Sequence, residues 1–179
     1  DLFPSRLDQA VDLIRTTIKD LKGSRFSITI FKGSAVVAVP LTEDVISIES
    51  FLNNLSPSML SSKGTNVELG LTKAVNSFPL GIGHNGAVIL LTDADELEGN
   101  IMRGADLAAR NNIPVFTIGA GSVKGVPIVL SDGTVIKDQS GNTVISSLDE
   151  NSLQRVSDRT GGAYFNLSNP TVAGNLLDS

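Results

Sequence analysis

The sequence predicts an α/β fold: a Rossmann-like, doubly wound, mostly parallel sheet with one antiparallel edge strand and a small β-meander insertion. Three observations carry this expectation. Ala87-Val88-Ile89-Leu90-Leu91 runs apolar without alternation, the mark of a strand covered on both faces, as in parallel sheets flanked by helices. Two further strand-like runs, Pro114 to Gly119 and Ala163 to Leu167, are each preceded by a helical pattern, and strands alternating with helices build parallel sheets. Finally, Asp93, Asp95 and Glu96 follow the first run directly, which puts acidic oxygens beyond a strand's carboxyl end, where open α/β sheets keep their ligands.

The elements follow in order. Pro4 suits a first helical turn, Leu7, Val11, Ile14, Ile18 and Leu21 recur at helical spacing, and Gly23 closes the run. Arg25 to Phe31 alternates as a strand, Lys32-Gly33 turns, and Ala35 to Val39 completes a hairpin. A short helix is expected from Asp44 to Leu55 and a loop from Ser56 to Gly64. Thr65-Asn66-Val67-Glu68 has the T-x-x-E spacing of a capping box, opening a helix that carries Val67, Leu71, Ala74, Val75 and Phe78 on one side. A glycine-rich turn spans Pro79 to Gly86. After the strand at 87–92 come a helix near Ile101 to Asn112 and the strand at 114–119.

Tight-turn pairs such as Asp132-Gly133 and Gly141-Asn142 separate short apolar triplets between Gly121 and Ser147, which reads as the β-meander. A last helix starts at Asp149, with Leu148 and Leu153 placed for a hydrophobic staple. Gly161-Gly162 ends it, and the tail from Ser168 to Ser179 reads as loosely held. The meander is too short to bury a core of its own, so residues 1–179 are expected to form a single domain.

Composition narrows the function. The chain has 179 residues, a net charge of −5, 41% hydrophobic residues, no cysteine and one histidine. The absence of a basic stripe argues against a nucleic-acid partner. Without cysteine there is no disulfide, thiolate metal site or cysteine nucleophile. No apolar run approaches the ~20 residues of a membrane-spanning helix. Gly81-Ile82-Gly83-His84-Asn85-Gly86 matches G-x-G-x-x-G, but it follows a helix and precedes a strand, the reverse of a dinucleotide site. His84 lies in that turn, at the edge opposite the acids, which disfavours a Ser-His-Asp triad.

Thr65 carries two readings. A threonine before a helix is an N-cap worth ~1 kcal/mol. Yet in a right-handed α/β sheet the start of a helix shares an edge with the carboxyl ends of the strands. Thr65 and Asp93 are therefore expected to converge as oxygen ligands for a hard cation such as Mg²⁺, with Ser62, Asp95 and Glu96 as outer neighbours.

At this point the chain resembles a von Willebrand factor type A domain. The resemblance rests on Gly64-Thr65-Asn66-Val67-Glu68-Leu69-Gly70-Leu71, Val88 to Asp93, and Ile113 to Gly121. Thr65 and Asp93 match the threonine and aspartate of the family's metal-ion-dependent adhesion site; Ala94 stands where many members have glycine. Pro4-Ser5-Arg6-Leu7, Gly125-Val126-Pro127-Ile128, Leu148-Asp149-Glu150 and Thr160-Gly161-Gly162-Ala163-Tyr164 are most similar to the membrane-anchored Bat (aerotolerance) proteins of bacteria.

The family's D-x-S-x-S strand is absent, as if the chain were N-terminally truncated just before Asp1. The resemblance then implies a sheet short of one central strand. Either its halves close onto each other or another chain, including a second copy, fills the gap. It also implies Mg²⁺ (or Mn²⁺ or Ca²⁺), held weakly or not at all by this chain, and a protein partner supplying an acidic residue to the metal. It further implies work with a MoxR-type AAA+ ATPase and related type A proteins in envelope stress tolerance or complex assembly, on a periplasmic domain of a membrane-anchored protein. The rival expectation is a metal-dependent hydrolase or phosphotransferase using Asp93, Asp95 and Glu96.

Overall fold

A computed structural model describes residues 5–62, 64–79, 85–94, 99–127, 133–135, 137, 141–143, 145–169 and 171–177. The first helix, α1 (Arg6–Asp20), begins at Ser5, where the Asp8 N–H donates to Ser5 Oγ and the Ser5 N–H donates back to Asp8 Oδ2 at 2.9 Å. This reciprocal capping box satisfies two backbone donors that the helix start would otherwise orphan. β1 (Phe26–Phe31) and β2 (Ala35–Thr42) pair antiparallel. β2 runs past the expected end at Val39 because Pro40 needs no ladder donor on an edge strand. α2 (Val45–Asn53) is capped by Asp44, whose carboxylate accepts the Ile46 and Ser47 N–H groups. A 3₁₀ turn at Pro57–Met59 interrupts the following loop.

α3 (Val67–Asn76), β3 (Val88–Thr92), α4 (Ile101–Arg110) and β4 (Val115–Gly119) follow. Then come α5 (Glu150–Thr160), β7 (Tyr164–Asn166) and α6 (Val172–Leu177), after the short antiparallel pair β5 (Val126–Pro127) and β6 (Ile145–Ser146). β3, β4 and β7 form a parallel sheet in the order β3-β4-β7. The β5–β6 pair and an antiparallel bridge between Lys137 and Thr143 represent the meander among the described residues. Pro4, residues 80–84 of the glycine-rich turn with Gly81, Gly83 and His84, and much of the meander lie outside them.

Both faces of the parallel sheet are covered, as the unbroken apolar run at 87–91 required. Val88 and Leu90 join the core made with α3, α4 and α5, including Leu71, Ala105 and Val156. Ile89 and Leu91 pack on the opposite face with Leu13 of α1 and with Val172 and Leu176 of α6. The tail is therefore not loosely held: α6 buries Val172 and Leu176 against Ile118 and Leu167. Helical spacing of those two residues was the signal available in the sequence, but only two apolar turns carry it.

The hairpin and the parallel sheet are separate sheets among the described residues. α1 packs both on the hairpin, through Val11 and Ile18, and on the parallel sheet, through Leu13. α3 lies across the hairpin too: a Cβ added at Gly70 would sit 2.8 Å from the Phe31 ring. The same helix packs on β3 through Val67, Leu71 and Val75. β1 and β3 are thus neighbours beneath the same two helices, yet no ladder joins them among the described residues. Among the described residues the two halves are not joined as one sheet, and all six β1 residues stay only partly buried.

Candidate metal centre

β3 stops at Thr92 because the chain turns sharply. Ala94 is left-handed, with φ 57°, and is buried, while its N–H donates to Thr92 Oγ1. A left-handed L-residue costs roughly 1–2 kcal/mol, which glycine escapes; this explains why glycine suits the position that alanine holds here. Asp93, between these two, is fixed through its backbone. Its carbonyl accepts the N–H of Asp149, the N-cap of α5. Its carboxylate lies 3.6 Å from the Arg6 guanidinium, at the first residue of α1. Asp93 therefore stands between two helix amino ends, whose partial positive charge favours an anion there.

Thr65 lies one residue ahead of the α3 cap. The capping box expected at Thr65 and Glu68 is not formed. Asn66 is the N-cap and accepts the Leu69 N–H, and Glu68 Oε2 reaches across to accept the N–H of Asn100, the cap of α4, at 2.8 Å. The cap falls one residue later than the T-x-x-E spacing suggests, and the Glu68 carboxylate that would close the box is turned to α4 instead. The Thr65 hydroxyl is consequently not consumed by a cap. The amino ends of α3 and α4 are tied together by Glu68.

Ser62 is placed otherwise. Its hydroxyl engages Ser34 of the hairpin turn, accepting the N–H at 3.1 Å and bonding the hydroxyl at 2.9 Å. Asp95 and Glu96 lie outside the described residues. Among those residues there is no group of three or more His, Cys, Asp or Glu side chains able to enclose a metal. The groups seen against Asp93 are Arg6 and Asp149; one hydroxyl and one carboxylate by themselves would suit only an ion that keeps several waters. Arg6 was missed by sequence reasoning, although a cation at the positive end of a helix dipole is an unfavourable placement that asks for a partner.

The rim continues over β4 and β7. Tyr164 Oη donates to Glu150 Oε1 at 2.8 Å, and Asn166 Nδ2 donates to the same oxygen at 3.2 Å. Burial pushes the Tyr164 phenol well above its ordinary value, helped by the Glu150 hydrogen bond and charge. A Cβ at Gly119 would sit 2.8 Å from this hydroxyl, so only glycine admits the ring.

With the geometry in place, comparison with known proteins settles the family. A profile for the von Willebrand factor type A domain matches residues 1–96, more than half of the chain. The chain belongs to the von Willebrand factor type A family. This type A domain is similar to BatB from Bacteroides thetaiotaomicron, at 31% identity and a TM-score of 0.91, over 99% of this chain and 87% of that one. It is similar also to an aerotolerance-related membrane protein from Bacteroides fragilis NCTC 9343, at 27% identity and a TM-score of 0.92, over 99% and 89% of the two chains. A mussel byssus protein, proximal thread matrix protein 1, solved with a zinc-occupied MIDAS motif, shares the fold at 14% identity and a TM-score of 0.67, covering 95% of this chain and 38% of that one. No curated protein sequence matches. The type A domain is thus related to Bat proteins, and no helix among the described residues is long and apolar enough to cross a membrane.

Proposed function

We propose that this type A domain is a metal-ion-dependent protein-interaction module of a membrane-anchored, Bat-like protein. The observation that carries the reading is the placement of Asp93. Its carbonyl accepts the Asp149 N–H and its carboxylate lies just past the carboxyl end of β3, 3.6 Å from Arg6, in a chain that belongs to the type A family and is similar to Bat proteins. A hard cation, Mg²⁺ or Mn²⁺, binds to Asp93 and the Thr65 hydroxyl, and an acidic residue of a partner protein completes its coordination. Partner binding then depends on the cation because a carboxylate bridges to it. The full-length protein works with a MoxR-type AAA+ ATPase at the bacterial envelope, with this domain on the periplasmic side. An extended strand, from a second copy or another chain, pairs with the edges of β1 and β3 that no ladder joins among the described residues.

The test is calorimetric titration of the chain with Mn²⁺ and Mg²⁺, beside Asp93→Asn and Thr65→Ala. Binding that Asp93→Asn abolishes and Thr65→Ala weakens supports the reading; binding indifferent to Asp93 ends it. Turnover of a phosphoester in the same samples would replace it with the hydrolase or phosphotransferase built on Asp93, Asp95 and Glu96.

A further inference from the structure

We propose that Asn85 is a self-modification site: its side-chain amide is lost to attack by the backbone nitrogen of Gly86, leaving aspartate and β-linked aspartate just ahead of β3. The proposal stands apart from Asp93 and from any metal.

Asn85-Gly86 is the one Asn-Gly pair in the sequence, and asparagine is among the chemically labile residues. The step is intramolecular. The Gly86 nitrogen gives its proton to solvent base and attacks Asn85 Cγ. A C–N bond forms, the Cγ–Nδ2 bond breaks, and the amide leaves as ammonia, protonated by water. The five-membered succinimide then takes up one water and opens at either carbonyl, so the sum is asparagine plus water to aspartate plus ammonia. Nothing is oxidised or reduced. Glycine suits the second position because it has no Cβ to restrict the closing backbone.

The fold leaves this pair open. Asn85 is exposed and lies outside helices and strands. Neither its carboxamide nor the Gly86 N–H makes a hydrogen bond to a described residue. Other asparagines are held: Asn66 and Asn100 accept helix-start N–H groups through Oδ1, and Asn54 and Asn111 donate through Nδ2 to the Ser50 and Leu107 carbonyls.

Packing also fixes the second member of the pair. A Cβ at Gly86 would stand 2.5 Å from Phe78 Cε1, and Phe78 packs against the core beneath α3 and α4. A side chain that would slow the attack is therefore shut out. Either product takes the net charge from −5 by one to −6. The β-linked product also lengthens the backbone by one carbon, three residues before Val88, whose N–H donates to the Pro114 carbonyl where the β3–β4 ladder begins.

The experiment ages the chain in mildly alkaline buffer, folded and in parallel unfolded in urea. Released ammonia is measured, and proteolytic fragments are mapped by mass spectrometry. Asn85→Gln, whose ring closure is slower, and Asn85→Asp, the standard for the α-linked product, run beside it; both keep the glycine that Phe78 requires, and circular dichroism reports their fold. In the folded chain the fragment holding Asn85 is expected to exchange amide for acid before any other asparagine fragment, to split into two products of equal mass, and to account for the first equivalent of ammonia. Asn85→Gln is expected to lose that first equivalent. An Asn85 fragment that stays intact in the folded chain while the urea-unfolded chain reacts, or ammonia release that Asn85→Gln does not reduce, overturns the proposal.

Discussion

Glu68 Oε2 accepts the backbone N–H of Asn100 at 2.8 Å, joining the first turn of α3 to the cap of α4 across 32 residues of chain. A carboxylate on a helix-start N–H is a charge-assisted bond. Glu68→Ala is expected to lower stability by about 1–2 kcal/mol, read from urea midpoints, and Glu68→Gln, which keeps an acceptor, by about half as much. Equal losses in the two variants would mean that charge alone matters at this joint.

Gly104 sits where α4 crosses α3, and a Cβ there would meet Leu71 Cβ at 2.8 Å. Alanine is the better helix former by about 1 kcal/mol, so an uncrowded site would gain from Gly104→Ala. The crossing predicts the opposite sign, a net loss of about 1–2 kcal/mol from forced separation of the helices. A stabilised variant would refute the close approach.

Tyr164 is the single tyrosine, and the chain has no tryptophan, so phenolate absorbance reports on this residue alone. Burial first, then the Glu150 hydrogen bond and charge, raise its pKa above the ordinary 10.0. Between the unfolded and folded values the unfolded chain gives up a proton that the native chain keeps. The stability this confers is complete below pH 10 and is lost as pH rises through the native value. Absorbance titration of the folded chain is expected to show a midpoint above 10. Glu150→Gln is expected to lower it without returning it to 10, since burial remains.

Leu176 of α6 is buried with Leu13 and Ile118. Leu176→Ala is expected to cost about 2–4 kcal/mol in equilibrium unfolding, whereas Ile46→Ala, on α2 where the side chain is 83% exposed, is expected to stay within about 0.5 kcal/mol. A tail that merely drapes over the surface would give two small, similar values.

The parallel core was legible because Ala87 to Leu91 and Val115 to Gly119 announce burial on both faces without help from distant residues. The helix starts at Asp44 and Asp149 were legible for the same reason, since a cap is a local hydrogen bond. The Thr65–Glu68 box was misread because the Glu68 carboxylate is taken by the N–H of Asn100, 32 residues away, while Asn66 supplies the cap. α6 escaped because two apolar turns carry little periodicity until Leu13 and Ile118 are known to lie opposite. Asp93 could be placed past the end of β3 from the order of residues alone. Arg6 could not be placed beside it, because that contact appears only when α1 is laid against β3.

With no ladder running between β1 and β3 among the described residues, the hairpin is joined to the rest of the molecule by packing beneath α1 and α3 and by the hydrogen bonds of its turn to Leu60, Ser62 and Asn66. Packing can slide in small steps where a hydrogen-bonded sheet would have to break. Any displacement of the β1–β2 arm would therefore pass through the Lys32 turn, which grips Asn66 at the foot of α3, to the backbone beside Thr65.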